Sequence, residues 1–170
     1  MDIRPTSDRL RETLFNVLCA GDPTALAGTT WLDLYAGTGA VGIEALSRGA
    51  ASVCFVESSK AAAELIAENL RSLGIAGGFK IVKGEVEKAL RDLERAGVVV
   101  DFVFLDPPYR LREEYAGALE ALAGLKLLHD SSVVIAEHEK RFDPGEEFGV
   151  LRRYRELEQG DAALSFYRRQ

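Results

Sequence analysis

The chain has 170 residues, of which 21 are lysine or arginine and 27 are aspartate or glutamate, so its formal net charge is −6. This length suits one domain with a sizeable hydrophobic core. Every apolar run is interrupted well short of a bilayer span, and residues 1–5 hold no signal-peptide core, so we expect neither a membrane segment nor secretion. Cys19 and Cys54 lack metal-ligand spacing, which indicates buried thiols of a cytoplasmic protein.

The acidic total argues weakly against a nucleic-acid partner, because a positive field is the usual sign of one. The charge is unevenly spread, however. Residues 101–150 contain five basic and 11 acidic side chains, whereas residues 151–170 contain five basic and three acidic ones. A total averages over the faces of a molecule, so it does not exclude a local basic surface.

A helix is predicted over residues 7–20, because Thr6 or Ser7 can cap it and Leu10 and Leu14 lie on one face. From residue 31 onward, strands alternate with helices, which predicts a parallel, doubly wound α/β sheet. The predicted strands are 31–35, 52–56, 79–83, 98–105 and 132–137, and the predicted helices are 41–48, 60–73, 85–96 and 113–125.

The end of the chain follows a different pattern. Residues 150–157 and 163–169 flank Gln159-Gly160-Asp161, which is a hairpin signal. The sequence therefore predicts a seven-stranded, mostly parallel sheet with a C-terminal antiparallel hairpin. We expect one domain, 1–170, in which residues 1–20 form an N-terminal segment and helix and residues 31–169 form a Rossmann-like core.

A glycine-rich loop, Gly37-Thr38-Gly39-Ala40-Val41-Gly42, lies between the first strand and its helix. This is where open α/β sheets bind ligands, and glycines let a ligand approach the backbone. A tight turn without a ligand is one interpretation; a dinucleotide and S-adenosylmethionine are the others. Asp33 favours the last, because a carboxylate there suits an ammonium group better than a pyrophosphate.

Two acidic residues follow the next two strands. Glu57 lies 20 residues after Gly37 and can accept hydrogen bonds from two ribose hydroxyls, in NAD and S-adenosylmethionine alike. Glu85 can accept from an adenine amine while the Val86 N–H donates to a ring nitrogen. Both acids also have ordinary interpretations, Glu57 as a solvated strand end and Glu85 as a favourable first-turn helix residue.

Asp106-Pro107-Pro108-Tyr109 directly follows the most apolar strand. Two prolines cannot continue a sheet, so they predict a rigid loop. Tyr109 can stack on a planar base while the Asp106 carboxylate and the Pro107 carbonyl accept hydrogen bonds from its exocyclic amine. This arrangement favours in-line attack of the amine on a methyl sulfonium through positioning and electrostatics. A turn with an exposed tyrosine is the alternative.

The segments Asp33–Gly42 and Asp106–Tyr109 together resemble amino-group methyltransferases of the Class I S-adenosylmethionine-dependent fold. Residues 4–16, Arg-Pro-Thr-Ser-Asp-Arg-Leu-Arg-Glu-Thr-Leu-Phe-Asn, are similar to the segment before the first strand in the RsmD family. These bacterial enzymes methylate the N2 amine of guanine 966 in 16S ribosomal RNA. Residues 39–50 and the closing hairpin extend the resemblance over essentially the whole chain. Its most specific part is the N-terminal segment, since the Asp-Pro-Pro-Tyr motif also occurs in DNA adenine methyltransferases.

The resemblance implies S-adenosylmethionine as cofactor and S-adenosylhomocysteine as product. Glu57 would hold its ribose, Glu85 and Val86 its adenine, and Asp106, Pro107, Pro108 and Tyr109 the target guanine, with Asp106 beside the cofactor as well. The methionine end would lie against Asp33, Tyr35, Ala36, Gly37 and Gly39. The chain departs from the family at Glu85, usually aspartate, and before Arg4, where a short basic stretch is usual; we expect either a truncated start or a reduced RNA-binding surface.

The implied partner is 16S rRNA, within a 30S subunit or an assembly intermediate, with no obligate protein partner. Phosphate contacts by arginine would make the affinity salt-dependent. The candidate contacts are Arg4, Arg9, Arg11, Arg110 and Arg112, with a second group at Arg152, Arg153, Arg155, Arg168 and Arg169. Any single arginine is more often a solvated surface charge. His129 and His138 have no partner spacing for a metal, and we expect surface or strand-end positions for them.

Three other functions stay open at this point. The Asp-Pro-Pro-Tyr loop alone permits N6-adenine methylation of DNA or methylation of another amino group, although the chain contains no separate recognition domain. A dinucleotide-binding oxidoreductase would explain the glycines and Glu57 but not the double proline or the antiparallel finish. A non-catalytic RNA-binding assembly module would not need Asp106.

Overall fold

A computed structural model describes residues 7–108 and 110–170, and in these ranges helices and strands alternate as the sequence predicts. The helices are α1 Asp8–Cys19, α2 Ala40–Ser47, α3 Lys60–Ser72, α4 Val86–Arg95 and α5 Glu113–Gly124. The strands are β1 Thr30–Leu34, β2 Ser52–Glu57, β3 Phe79–Lys83, β4 Val100–Leu105, β5 Leu128–Glu139, β6 Glu147–Phe148, β7 Leu151–Gln159 and β8 Ala162–Arg169.

All eight strands form one sheet in the order β3-β2-β1-β4-β5-β8-β7-β6. The first five pair in parallel, so their carboxyl ends meet at one edge of the sheet. The order reverses between β1 and β4, and ligands bind open α/β sheets in the crevice at such a point. Strand β8 then pairs with β5 in antiparallel fashion, and β7 with β8.

Two apolar layers cover the sheet. Helices α4 and α5 pack on one face through Leu90 and Leu119, while α1, α2 and α3 pack on the other through Phe15 and Ile66. The N-terminal helix is capped by the Ser7 hydroxyl, which accepts from the Leu10 N–H at 3.2 Å. Its Phe15 ring stacks on Trp31 at the start of β1. This contact sets the C-terminal half of α1 against the amino end of the sheet.

The predicted fold class is confirmed, with a correction to the strand number. The sheet has eight strands, and the one that the sequence did not predict is β6. It has two residues, which pair with the start of β7, and so short a strand shows no recognisable alternation pattern. The fifth strand starts at Leu128, four residues before the predicted start. A bulge interrupts its pairing with β4 between Val100 and Phe102, so the first residues of the strand do not follow a regular alternation. Other boundaries differ by one or two residues, the usual uncertainty of element ends.

Cys19 and Cys54 are buried free thiols, as the sequence predicts. In residues 7–108 and 110–170, no helix is both long and apolar enough to cross a membrane. His129 lies at the amino edge of the sheet, where its Nε2 is 2.7 Å from Asp101 Oδ1. His138 lies near the end of β5 as expected but is only 1% exposed, with its Nε2 2.8 Å from Ser165 Oγ. It is therefore not a surface residue.

Candidate active site

A cavity of about 320 Å³ opens at the carboxyl ends of the parallel strands. Its walls come from the loops after β1, β2, β3 and β4 and from the start of α5. Its size lies within the range of small-molecule sites. Of the predicted site residues, it is lined by Tyr35, Gly37, Glu57, Glu85, Val86, Asp106, Pro108 and Arg110. The structure therefore brings together residues that are 75 positions apart in the sequence.

The loop after β1 follows an unusual backbone path. Tyr35, Gly37 and Gly39 all have positive φ angles, of 56°, 58° and 79°. Such angles are easy for glycine and costly for a side chain such as tyrosine, so Tyr35 is a strained residue at the cavity wall. Ala36 anchors the loop, because its N–H donates to the Val56 carbonyl at 3.0 Å. The turn thus holds Gly37 at the mouth of the crevice between β1 and β4.

The third glycine of the loop, Gly42, allows α2 to pack closely on the sheet. A methyl group on Gly42 would lie 2.4 Å from a ring carbon of Phe55 and 2.8 Å from Val53. Only glycine lets α2 approach the sheet this closely, which is the packing role of the third glycine in such loops. Gly42 is therefore explained without a ligand, and the glycine pattern alone does not identify a cofactor.

Glu57, at the end of β2, is held by two backbone donors. Its Oε1 accepts from the Gly37 N–H at 2.9 Å and its Oε2 from the Ser59 N–H at 2.8 Å. A carboxylate has about four lone-pair positions, so two acceptor positions remain for ligand hydroxyls. The same two bonds tie the β2 loop to the glycine loop. Glu57 is thus fixed in orientation before any ligand binds.

Asp33 lies beneath the glycine loop. Its carboxyl is 1% exposed, and its Oδ2 accepts from the Gly42 N–H at 3.0 Å. The pKa of Asp33 is raised to about 8, chiefly by burial and to a smaller extent by the charge of Glu57, against the lowering effect of the Gly42 bond. Asp33 therefore orients the start of α2. Its direct contact with a cofactor, expected from the sequence, stays a prediction.

The cavity is acidic. Among its described lining residues are the carboxylates of Glu57, Glu85, Asp106 and Glu114 and the single guanidinium of Arg110. Burial raises the pKa of Glu114, and the charges of Glu85, Glu113 and Glu87 raise it further. Burial also raises the pKa of the Tyr35 phenol, with a smaller effect from Glu114. Such a site favours a cationic ligand and disfavours a pyrophosphate.

The loop after β4 forms the opposite wall. Asp106 and Pro108 line the cavity, and Pro107 is buried beneath them. Leu105 pairs with Leu34 in the adjacent β1, which sets Asp106 beside Tyr35 at the sheet edge. The backbone N–H of Leu111 donates to the Pro108 carbonyl at 2.9 Å and closes the turn. Tyr109, the proposed stacking residue, lies outside the described residues.

The candidate RNA contacts of the first group lie on different parts of the chain. Arg110 lies at the cavity, and Arg112 is 3.4 Å from Glu139 and stacks over the Phe142 ring at 4.9 Å. Arg9 and Arg11 lie on α1, where Arg11 pairs with Asp8 at 3.0 Å and borders a separate groove between α2 and α3. Arg4 falls outside the described residues. Among the described candidates, only Arg110 lines the cavity.

Six lining residues were not assigned to the site by the sequence interpretation: Val56, Ser58, Ser59, Gly84, Leu111 and Glu114. Ser59 caps α3, with its hydroxyl accepting from Ala62, and Glu114 lies in the first turn of α5. Serine caps and first-turn glutamates occur in most helices, so no signal marks these as site residues. Within 7–108 and 110–170, no three His, Cys, Asp or Glu side chains are grouped as for a metal ion.

Sequence comparison finds one family model and several named proteins that are similar to this chain. A family model described as conserved hypothetical protein 95 matches residues 1–168. Ribosomal RNA small subunit methyltransferase D of Escherichia coli is 40% identical over 120 residues, which are 69% of this chain and 57% of that protein. The Haemophilus influenzae protein of the same name is 34% identical over 140 residues, covering 81% of this chain and 69% of its own length.

The fold comparison agrees with the sequence comparison. A conserved hypothetical protein from Streptococcus pyogenes superposes with a TM-score of 0.81 at 32% identity, covering 94% of this chain and 95% of that one. The family match thus extends over nearly the whole chain and includes the loops that form the cavity. This chain belongs to the RsmD family, the family of the ribosomal RNA small subunit methyltransferase D proteins.

Proposed function

We propose that this protein transfers a methyl group from S-adenosylmethionine to the exocyclic N2 amine of a guanine in 16S rRNA, within a 30S subunit or an assembly intermediate. The observation that carries the proposal is the acidic cavity at the β1–β4 crossover. Support for the substrate class comes from the family relatives, which are named as methyltransferases of small-subunit ribosomal RNA.

The acidic lining favours S-adenosylmethionine over a dinucleotide. S-adenosylmethionine carries a positive sulfonium and an ammonium group, whereas a dinucleotide brings two phosphate charges. Among the described lining residues, four carboxylates outnumber one arginine. The cavity therefore attracts the cationic groups of S-adenosylmethionine and repels the phosphates of a dinucleotide. The Glu57 carboxylate accepts hydrogen bonds from two backbone N–H groups and has two acceptor positions left for ribose hydroxyls. In this proposal Glu85 and Val86, at the start of α4, would contact the adenine.

In this proposal Asp106 and the loop after β4 position the target amine. A conjugated amine is a poor nucleophile because its lone pair is delocalised into the ring. The Asp106 carboxylate and the Pro107 carbonyl would accept from the two amine N–H bonds and favour a pyramidal nitrogen. The sulfonium, when bound, supplies an electrophilic methyl group and a neutral thioether as leaving group. Holding nitrogen and methyl in line supplies most of the rate enhancement, and the extra proton leaves through Asp106.

The test is methyl transfer to 30S subunits purified from a bacterial strain that lacks its own enzyme of this family. The methyl donor is S-adenosylmethionine labelled with tritium in its methyl group, and the product RNA is digested to nucleosides and identified by mass spectrometry. We expect N2-methylguanosine in 16S rRNA. N6-methyladenosine as the only product would assign the adenine alternative, and no methylated nucleoside above the no-enzyme control would contradict the substrate.

The cofactor part is tested separately by calorimetry. S-adenosylhomocysteine should bind with measurable heat, and NADH should not, because its pyrophosphate meets the acidic wall. Tight NADH binding without binding of S-adenosylhomocysteine would contradict the proposed activity whatever the RNA result.

A further inference from the structure

The hairpin of β7 and β8 carries a basic aromatic surface outside the cavity. On one face, Arg168 stacks its guanidinium over the Tyr154 ring at 4.2 Å, and Arg155 lies over the Phe166 ring at 6.0 Å. Tyr154 is 37% exposed, and both arginines are exposed. Arg152 joins this face, since it pairs with Arg168 across the two strands. We call Arg152, Tyr154, Arg155 and Arg168 the arginine face.

A β-bulge creates this face. Arg153 pairs with Tyr167, but the next paired residue of β7 is Arg155, opposite Phe166, so Tyr154 is the extra residue. In a regular strand, Tyr154 and Arg155 would point to opposite sides. The bulge instead puts both beside Phe166, as their ring contacts show. Bulges commonly redirect side chains in this way and serve function when they do.

Charge pairing differs between the two faces of the hairpin. On the opposite face, Arg153 is neutralised by Asp143, Glu146 and Glu156. On the arginine face, only Arg152 has a carboxylate partner, Glu147. Among the described residues, Arg155 and Arg168 form no ion pair. Two unneutralised guanidiniums stacked on aromatic rings are an arrangement that attracts phosphates and offers flat surfaces for bases.

The arginine face lies within reach of the cavity. Ser165 pairs with both Ala136 and Glu156, and Ala136 pairs with Leu105, so Arg155 is at nearly the same height in the sheet as the end of β4. Three strand spacings separate them, or about 14 Å. Helix α1 contacts the hairpin, because Thr13 Oγ1 donates to Gln159 Oε1 at 2.6 Å. Arg9 lies one turn earlier on the same helix.

We propose that the arginine face binds the phosphate backbone and an unpaired base of the rRNA substrate, so that the RNA is held at a second point while its target base enters the cavity. This proposal rests on the function proposed above. RNA is favoured over an acidic protein because the arginines are stacked on aromatic rings, a geometry suited to bases and phosphates together. The surface supplies affinity, and the cavity supplies chemistry.

The test uses the double variant Arg155→Gln/Arg168→Gln of the full chain and measures binding to protein-free 16S rRNA and to 30S subunits across a salt series. We expect the affinity of both to fall about tenfold, and the slope of log affinity against log salt to drop by about 1.5, as for two lost phosphate contacts. The matched control is Arg71→Gln/Arg91→Gln, which removes two exposed charges from α3 and α4; it should bind like wild type.

S-adenosylhomocysteine affinity and thermal unfolding of the double variant should match wild type, which shows that it is folded. With 30S subunits, KM should rise while kcat at saturating substrate is kept. Unchanged RNA affinity in the double variant would overturn the arginine face, while wild-type methylation of guanine would leave the function standing. Loss of binding to 30S subunits but not to protein-free rRNA would assign the surface to a ribosomal protein instead. Variant-sensitive RNA binding without methylation by the wild type would support the surface and overturn only the proposed function.

Discussion

Three strand spacings, or about 14 Å, separate Arg155 from the end of β4, yet the cavity and the arginine face have opposite charge and are built differently. The cavity collects carboxylates from the ends of β2 and β4 and from the starts of α4 and α5, and Glu57 joins the loops after β1 and β2. The arginine face comes from one hairpin and depends on one bulged residue. A small cationic ligand and a polyanion can therefore approach the same molecule through different surfaces. The net charge of −6 describes neither surface.

This comparison predicts that each surface can be damaged without the other. The largest effect is expected for Asp106→Ala. Removing the carboxylate that would hold the amine should lower the turnover of 30S subunits by at least about 100-fold, the scale seen when one preorganised polar group is lost from an active site. S-adenosylhomocysteine affinity and RNA affinity should change little. Single-turnover methyl transfer, calorimetry and RNA binding measure the three quantities.

The matched control for this variant is Asp92→Ala, which removes an exposed aspartate of α4 that pairs with Lys88 and Arg95. It should turn over at the wild-type rate. A wild-type rate in Asp106→Ala would remove Asp106 from the mechanism. A parallel loss of RNA affinity would mean that the cavity and the arginine face are not separate in function.

A smaller effect is expected for Glu57→Gln. The side-chain amide would direct a donor toward the N–H of either Gly37 or Ser59, both of which now donate to the carboxylate. The one remaining side-chain oxygen is neutral, so a ribose hydroxyl would lose its charged acceptor. Losing one hydrogen bond to a charged group costs about 1.5–3 kcal/mol, so S-adenosylhomocysteine affinity should fall about 10- to 100-fold. RNA affinity should be kept. Calorimetry of this variant beside Glu68→Gln, an exposed residue of α3, makes the comparison.

Affinity for S-adenosylhomocysteine within twofold of wild type in Glu57→Gln would show that the ribose binds elsewhere. An equal loss in Glu68→Gln would show that the effect comes from the net charge of the chain and not from the site.

The order of elements could be predicted from sequence because it depends on strong local patterns. Helices α3 and α4 each have one apolar face. Strands β2 and β4 are mostly apolar; β2 ends at Glu57 and β4 is followed by Asp106. The pairing of β7 with β8 followed from a turn signal at Gly160. Each of these features is encoded within a short stretch of sequence.

What could not be predicted depends on contacts between distant segments. Glu114 enters the cavity wall only because α5 packs beside α4, and its sequence neighbourhood looks like an ordinary helix start. The bulge at Tyr154 interrupts a strand whose polar residues show no alternation. The hydrogen bond from the Gly42 N–H to Asp33 likewise depends on the close approach of α2 to the sheet, while the expected contact of Asp33 with a cofactor stays a prediction.

Asp33→Asn tests whether this buried acid supports the glycine loop as a largely neutral group. The folded-state pKa of Asp33 is about 8, well above the usual value near 4 of an unfolded aspartate. Folding therefore binds a proton between these values, so the contribution of Asp33 to stability is present below pH ~4 and is lost as pH rises toward 8. An asparagine oxygen can still accept from the Gly42 N–H but does not titrate.

We therefore expect the free energy of unfolding of wild type, relative to Asp33→Asn, to fall with rising pH by at most about 1.4 kcal/mol per unit. Urea unfolding at a series of pH values measures this difference, with Asp92→Asn as the exposed control. A difference that rises with pH would mean that Asp33 is ionised under the loop. A negative charge would then face the cavity from below, and the acidic cavity would differ even more strongly from the arginine face.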